Sequence, residues 1–287
     1  MGDLLASDFA RMMRSKAFLA TIVFCVEFPF CEFLLLYIEN QSTNEPIKIM
    51  DGYLNSCFLL FGVIIAIFVS IFIGSDYHDG TLRNKLTAGH SRAKIYISNF
   101  LVCSVGCFIL QFLYLFTIIA LFMGAFFRKI TDYKYTTVSM LSLDSIIKMQ
   151  LVGFYVVLTY MAVFLMFSMI ISSRSISTTI SIIIALVLLL VGTNITSKVA
   201  AEEMSLVNSK EKYTTQYISQ FQRGEELTGF KKTAYLFLDD FLLSCQVEHL
   251  KVGVVPPRAA TYLMYDCSVI TASTLLGIII FRKKDVK

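Results

Sequence analysis

Six stretches of this chain are long, apolar and nearly empty of charge, and they constrain its fold more than anything else in it. Residues 53–73, 95–127 and 176–193 contain no Asp, Glu, Lys or Arg. Residues 17–38, 146–171 and 259–281 contain only Glu27 and Glu32, Lys148, and Asp266 respectively. A helix of about 20 apolar residues crosses a bilayer. In lipid every backbone N–H and C=O must find its partner within the protein, and helices do this inside one segment. Mean hydropathy is +0.69 and the apolar share is 56%, against about 45–50% in soluble domains. The pattern therefore predicts an all-α, polytopic membrane protein with six transmembrane helices, forming one domain over residues 1–287.

Two amphipathic helices are expected outside the spans, besides a short helix over residues 81–88. Residues 2–16 place Leu5, Phe9, Met12 and Met13 on one side and Asp3, Ser7, Arg11, Arg14 and Ser15 on the other. Acids come early and bases late, as the helix dipole favours, so an interfacial helix in the headgroup region is expected. A cleaved signal peptide fits less well, because acids precede the apolar run and Glu27 interrupts it. The long polar segment 194–258 contains a second amphipathic stretch, 234–250, expected as a helical segment between spans five and six that rests on the outer membrane face or dips into it.

Orientation follows from Lys and Arg in the short connections. With the N-terminus inside, twelve of these residues lie on the inner side and five in the outer short loops. Both termini and residues 74–94 are then cytoplasmic, and 194–258 is extracellular. The net charge of +4 gives no reason to invoke nucleic acid. Six of the seven cysteines lie in or beside apolar runs, where Cys behaves as a small hydrophobe, and no disulfide is expected.

The most informative polar stretch is 72–99. Gly80 and Gly89 bracket Thr81-Leu82-Arg83-Asn84-Lys85-Leu86-Thr87-Ala88. Asp79 or Thr81 is placed to cap the start of a two-turn helix, and Gly89 to end it in the left-handed conformation. Leu82 and Leu86 share a face at i and i+4. A helix this short does not stand alone in water, so the pair predicts an apolar knob with basic flanks that docks on another protein. Spacing alone suits a solvated connector equally.

The string Asp76-Tyr-x-x-Gly80-Thr81-Leu82-Arg83-Asn84-Lys85-Leu86, followed by Gly89-His90-Ser91-Arg92 and Ile95-Tyr-Ile-Ser-Asn99, resembles the loop after the second span in bacterial type 2 ABC transporter permeases. Asp76 stands where that family usually has Glu. The resemblance implies a coupling helix seated in a groove of an ATPase subunit, with Asp76, Gly80, Thr81, Leu82, Arg83, Lys85, Leu86 and Arg92 as coupling residues. It also implies two ATPase subunits that bind ATP and Mg, a second permease chain, the same or different, and a home in the bacterial cytoplasmic membrane.

This chain has no Gly-x-x-x-x-Gly-Lys-[Ser/Thr] and no Gly-Lys dipeptide, so it does not hold ATP in the Walker manner. No cofactor and no metal is expected in it, and it is not expected to be an enzyme. Acids within a bilayer are costly and tend to face a cavity or a partner. Glu27, Glu32 and Asp266 are thus candidates for a substrate pathway, with Glu32 and Asp266 about 9 Å below the outer ends of their spans at about 1.5 Å per residue. Structural pairing or protonation of these acids remains the alternative. The expected function is export of an antimicrobial peptide or drug; the alternative is a membrane protein that senses such a peptide or confers immunity without pumping.

Overall fold

The computed structural model describes residues 1–43, 50–127, 143–208, 229–251 and 259–284. Ten helices account for nearly all of them, and no strand occurs among the described residues. α1 is Gly2–Arg14, α2 Lys16–Thr43, α3 Met50–His78, α4 Thr81–Thr87 and α5 Arg92–Phe127. α6 is Leu143–Ile170, α7 Arg174–Asn208, α8 Phe230–Phe241, α9 Leu243–Lys251 and α10 Ala259–Lys283. Six of these, α2, α3, α5, α6, α7 and α10, are long and apolar enough to cross a membrane.

Burial sorts the six. The apolar windows of α3 and α6 are 61% buried, whereas those of α2, α7 and α10 are only 17–22% buried. α3 and α6 therefore form the centre, and the other three present broad apolar faces outward. Gly153 shows how closely the central pair packs: a Cβ there would lie 2.1 Å from the Phe58 ring. Gly106 likewise admits the Phe68 ring and the Met12 thioether between α5, α3 and α1.

Ser15 separates α1 from α2. It is extended at φ −73° and ψ 134°, and its hydroxyl accepts the Phe18 N–H at 3.1 Å, the N-cap arrangement. α3 runs past the expected end of its apolar run, through Asp76 to His78, so Asp76 belongs to a helix and not to a loop. α7 likewise continues into the polar stretch beyond residue 193, where Ile195 and Val199 bury against α8 and its neighbours.

The segment between spans five and six, expected as one helix, forms two, α8 and α9. It breaks at Leu242, which is extended at ψ 126°. α9 then tucks into the bundle: Ser244, Cys245, Gln246, Val247 and Leu250 are all buried, and the helix packs on α3, α6 and α7. Gly192 makes this possible, since a Cβ there would meet the Ser244 hydroxyl at 2.2 Å. Phe237, Phe241 and Tyr265 pack edge to face between α8 and α10.

Candidate coupling site

One end of the bundle gathers the starts of α2, α5 and α7 with the ends of α3, α6 and α10, and α1 and α4 lie across it. The contact of Gly74 with the Arg174 backbone, 3.0 Å from a Cβ built on that glycine, marks how tightly α3 and α7 meet there.

α4 closes as its sequence suggests. His90 N–H bonds to Lys85 O at 3.2 Å and Gly89 N–H to Leu86 O at 3.0 Å, with Gly89 at φ 85°. This pair of bonds is the Schellman ending. Its start differs from expectation. The N-cap is Gly80 at φ 67°, with no side-chain cap. The Asp79 carboxylate faces His78 at 2.9 Å, and the Thr81 hydroxyl donates to the Asp76 carboxylate.

That last bond belongs to a buried ionic cluster. Asp76, fully buried, pairs with Arg11 of α1 and with Lys85 of α4 at 3.3 Å, and it accepts from Asn99 of α5 at 3.4 Å. Asp8 of α1 pairs with Lys85 at 2.6 Å and Arg11 at 3.7 Å, and accepts from Ser98 of α5 at 2.7 Å. Two acids and two bases from α1, α3 and α4 thus balance one another, with Ser98 and Asn99 of α5 completing the cluster. Arg11 also stacks over the Phe72 ring, 4.3 Å from its centroid. Burial pushes the Arg11 guanidinium below its ordinary value, with Asp8 opposing. Burial, then Arg11, pushes Lys85 down to about 8, again against Asp8. Removing one member of such a buried pair is strongly destabilising, because the other charge is left uncompensated.

Leu82 completes the anchor and corrects the expectation of an exposed apolar knob. It is 1% exposed within the protein's own core, and Leu86 is partly buried against that core. The i, i+4 pair faces inward because Thr81 and Lys85, flanking Leu82, must reach Asp76 and Asp8. The surface α4 leaves open is polar: Arg83, Asn84 and Thr87 are exposed, as are His78 and Asp79 just before it. Of the residues expected to couple, Asp76, Thr81, Leu82, Lys85 and Leu86 brace the helix from inside, Gly80 starts it, and Arg83 points out.

Arg92 has a separate task. Its guanidinium donates to the carbonyls of Phe281 at 3.1 Å and Arg282 at 3.3 Å, and to that of Lys284. It thereby satisfies the open C-terminus of α10. Lys284 in turn donates to Met169 O at 3.1 Å and to the Tyr77 hydroxyl at 3.0 Å, and Tyr77 donates to Met169 O at 2.6 Å. The residues following α4 are therefore laced to α3, α6 and α10.

The three intramembrane acids do not come together. Glu27 is exposed on the outer face of α2. Glu32 accepts from Ser56 of α3 at 2.8 Å and Tyr114 of α5 at 3.1 Å. Asp266 is buried on α10 beside Thr159 of α6 and Gln246 of α9. The expected shared acidic patch of Glu32 and Asp266 thus divides between two different helix interfaces.

In the sequence Arg11 falls only on the polar side of the first helix and Ser98-Asn99 only within the motif string, and neither they nor Asp8 are named there as site residues. Two signals mark them in hindsight. Leu4, Asp8 and Met12 follow i, i+4, i+8 spacing, and they are the buried face of α1. Ser98-Asn99 is an adjacent polar pair within an otherwise apolar run.

Six membrane-length helices, fronted by a short amphipathic helix and carrying one internally braced helical loop, define an all-α, multi-pass membrane protein. The model of the ABC-2 family transporter proteins matches residues 3–286, nearly the whole chain. The chain belongs to that family and is a membrane subunit of an ABC transporter. No curated protein matches it.

Proposed function

We propose that this chain is the permease of an ATP-driven exporter, worked by separate ATPase subunits pressing on the exposed face of α4. The observation that carries the reading is the bracing of α4. A load on Arg83, Asn84 or Thr87 passes through Thr81, Leu82 and Lys85 into α1, α3 and α5 without a compliant joint. Through Arg92 and Lys284 it reaches α10 and α6. Coupling of this kind requires contiguous packed elements with more than one arrangement, and α1, α3, α4 and α5 supply the contiguity.

In this reading the braced end faces the bacterial cytoplasm with both termini, and α8 and α9 lie on the outer side. Two ATPase subunits holding ATP and Mg, and a second permease chain, complete the transporter. The apolar faces of α2, α7 and α10 are then covered by lipid or by that second chain. The cargo is an antimicrobial peptide or drug. The test is Arg83→Glu with Thr87→Glu. Both positions are exposed, so melting should stay within a degree or two while association with the ATPase falls at least tenfold. Undiminished association and transport would refute the proposal.

A further inference from the structure

Asp266 sits in an arrangement that an ionised carboxylate does not fit. It is 1% exposed, and among the described residues neither of its oxygens lies at hydrogen-bond distance from a well-aligned donor. The two polar side chains beside it, Thr159 and Gln246, are both fully buried. Each has already committed a donor elsewhere. Thr159 uses its one hydroxyl proton on Tyr155 O at 2.8 Å. Gln246 directs its amide nitrogen to Asp240 O at 2.9 Å, and its Oε1 is left without a partner. Beyond the second amide hydrogen of Gln246, the carboxyl group meets lone pairs and no cation. A buried acceptor without a donor keeps its full desolvation cost, and a buried charge without a counter-charge costs more.

Among the described residues the surrounding elements supply no counter-charge. From α6, Tyr155 and Tyr160 are the titratable neighbours; Tyr160 is near enough to feel Asp266 electrostatically. From α9, His249 stacks on Tyr262 of α10, one turn away, but its Nε2 is 2.8 Å from Asp239. Glu248 of α9 and Asp239 and Asp240 of α8 are acids, and α5 brings Tyr96 against Gly277, about three turns along α10. No Lys, Arg or His among the described residues pairs with Asp266.

We propose that Asp266 carries a proton in this conformation, and that Asp266, Gln246 and Thr159 form a proton-binding site where α6, α9 and α10 meet. A single proton resolves the bookkeeping. The protonated carboxyl donates its O–H to Gln246 Oε1, where one added hydrogen serves two unpartnered groups, or to Thr159 Oγ1, and in either case no net charge is left. The site reports on shape as well. α9 belongs to the segment between spans five and six, whereas α10 is a span. If α9 parts from α10, water reaches the carboxyl, the O–H bond gives its proton to that water, and the carboxylate remains behind, hydrated. Binding of a proton and closure of α9 on α10 then favour each other, and linkage makes the effect reciprocal.

The reading does not depend on ATP coupling or on the identity of the cargo, and its test requires neither. The infrared spectrum of the full chain in lipid vesicles at neutral pH is compared with that of Asp266→Asn, which keeps shape and polarity without an acid. The site predicts one carbonyl band of an un-ionised carboxylic acid that disappears in the variant. Gln246→Leu and Thr159→Val, read against the unaltered acid, provide a measurement that survives if Asp266→Asn fails to fold. At least one of them should move that band to higher frequency, as losing a hydrogen-bond acceptor does. Absence of an acid band in the native chain would mean an ionised carboxylate served by buried water or a cation, and would overturn the proposal. A band unmoved by both substitutions would overturn it equally, since the proton would then reside elsewhere.

Discussion

Neutralising Asp76 tests the ionic cluster most sharply. Asp76→Asn keeps one oxygen, enough for either the Thr81 hydroxyl or the Asn99 amide but not both, and removes the charge that balances Arg11 and Lys85. Asp8 is then left alone against two cations. Breaking a buried pair from one side costs about 3–5 kcal/mol. The Arg11 side chain is 23% exposed, so water recovers part of its solvation, and about 2–4 kcal/mol is the reasoned expectation. Arg11→Met keeps a flexible apolar contact on Phe72 while removing the opposite charge. It should cost a similar amount alone. Together the two changes leave Asp8 paired with Lys85, so the double variant should be milder than the sum by about 2 kcal/mol, roughly a 30-fold difference in the unfolding equilibrium. Equilibrium unfolding of the full chain in mixed micelles, for both single variants and the double, measures this coupling directly. Additivity within about 0.5 kcal/mol would refute the claim that Arg11 and Asp76 stabilise one another.

Other perturbations follow from the same geometry. Leu82→Asp sets a third carboxylate beside Asp8 and Asp76 at a site 1% exposed; it should cost about 3 kcal/mol or more and abolish recovery of folded protein, whereas Leu82→Met should cost under about 1.5 kcal/mol, as thermal melting will show. Gly153→Ala should destabilise by about 1–3 kcal/mol through overlap with the Phe58 ring, and adding Phe58→Leu should recover part of the loss in the same melts. Lys85 is held down to about 8 by burial, below its unfolded value of about 10.4. Between those pH values the unfolded chain binds the extra proton, so this group's contribution to stability grows as pH rises through the window. Lys85→Arg, which does not deprotonate, should abolish that rise; parallel melting curves for the two proteins between pH 8 and 10 would contradict it.

Much of the architecture was legible because lipid imposes a simple rule. A helix satisfies its own backbone, so a run such as 95–127 admits little else, and α5 occupies Arg92–Phe127. The ending of α4 was legible for a local reason, since Gly89 alone relieves the left-handed residue that the Schellman bonds require. Legibility ended where a surface had to choose its partner. Spacing put Leu82 and Leu86 on one face but carried no information on whether that face met another protein or the chain's own core. Arg11 read as a solvated residue on the polar side of α1, because hydrophobic periodicity scores a buried, paired charge as exposed. The extension of α7 through residues 194–208 and the break at Leu242 had no Gly or Pro to mark them. Both arise from packing among α7, α8 and α9, which is a tertiary effect.

The central claim is that a motor presses on the polar outer face of α4 while its inner face stays locked to the bundle. The most direct measurement places a photo-crosslinking side chain at Asn84, exposed on α4, in the full transporter in native membranes, with a second at Leu190, exposed on α7. Asn84 should form an adduct with a Walker-motif ATPase subunit, with a yield that changes on ATP binding, and Leu190 should form none. An ATPase adduct at Leu190 but not at Asn84, or no adduct at Asn84 in membranes that still transport, would contradict it.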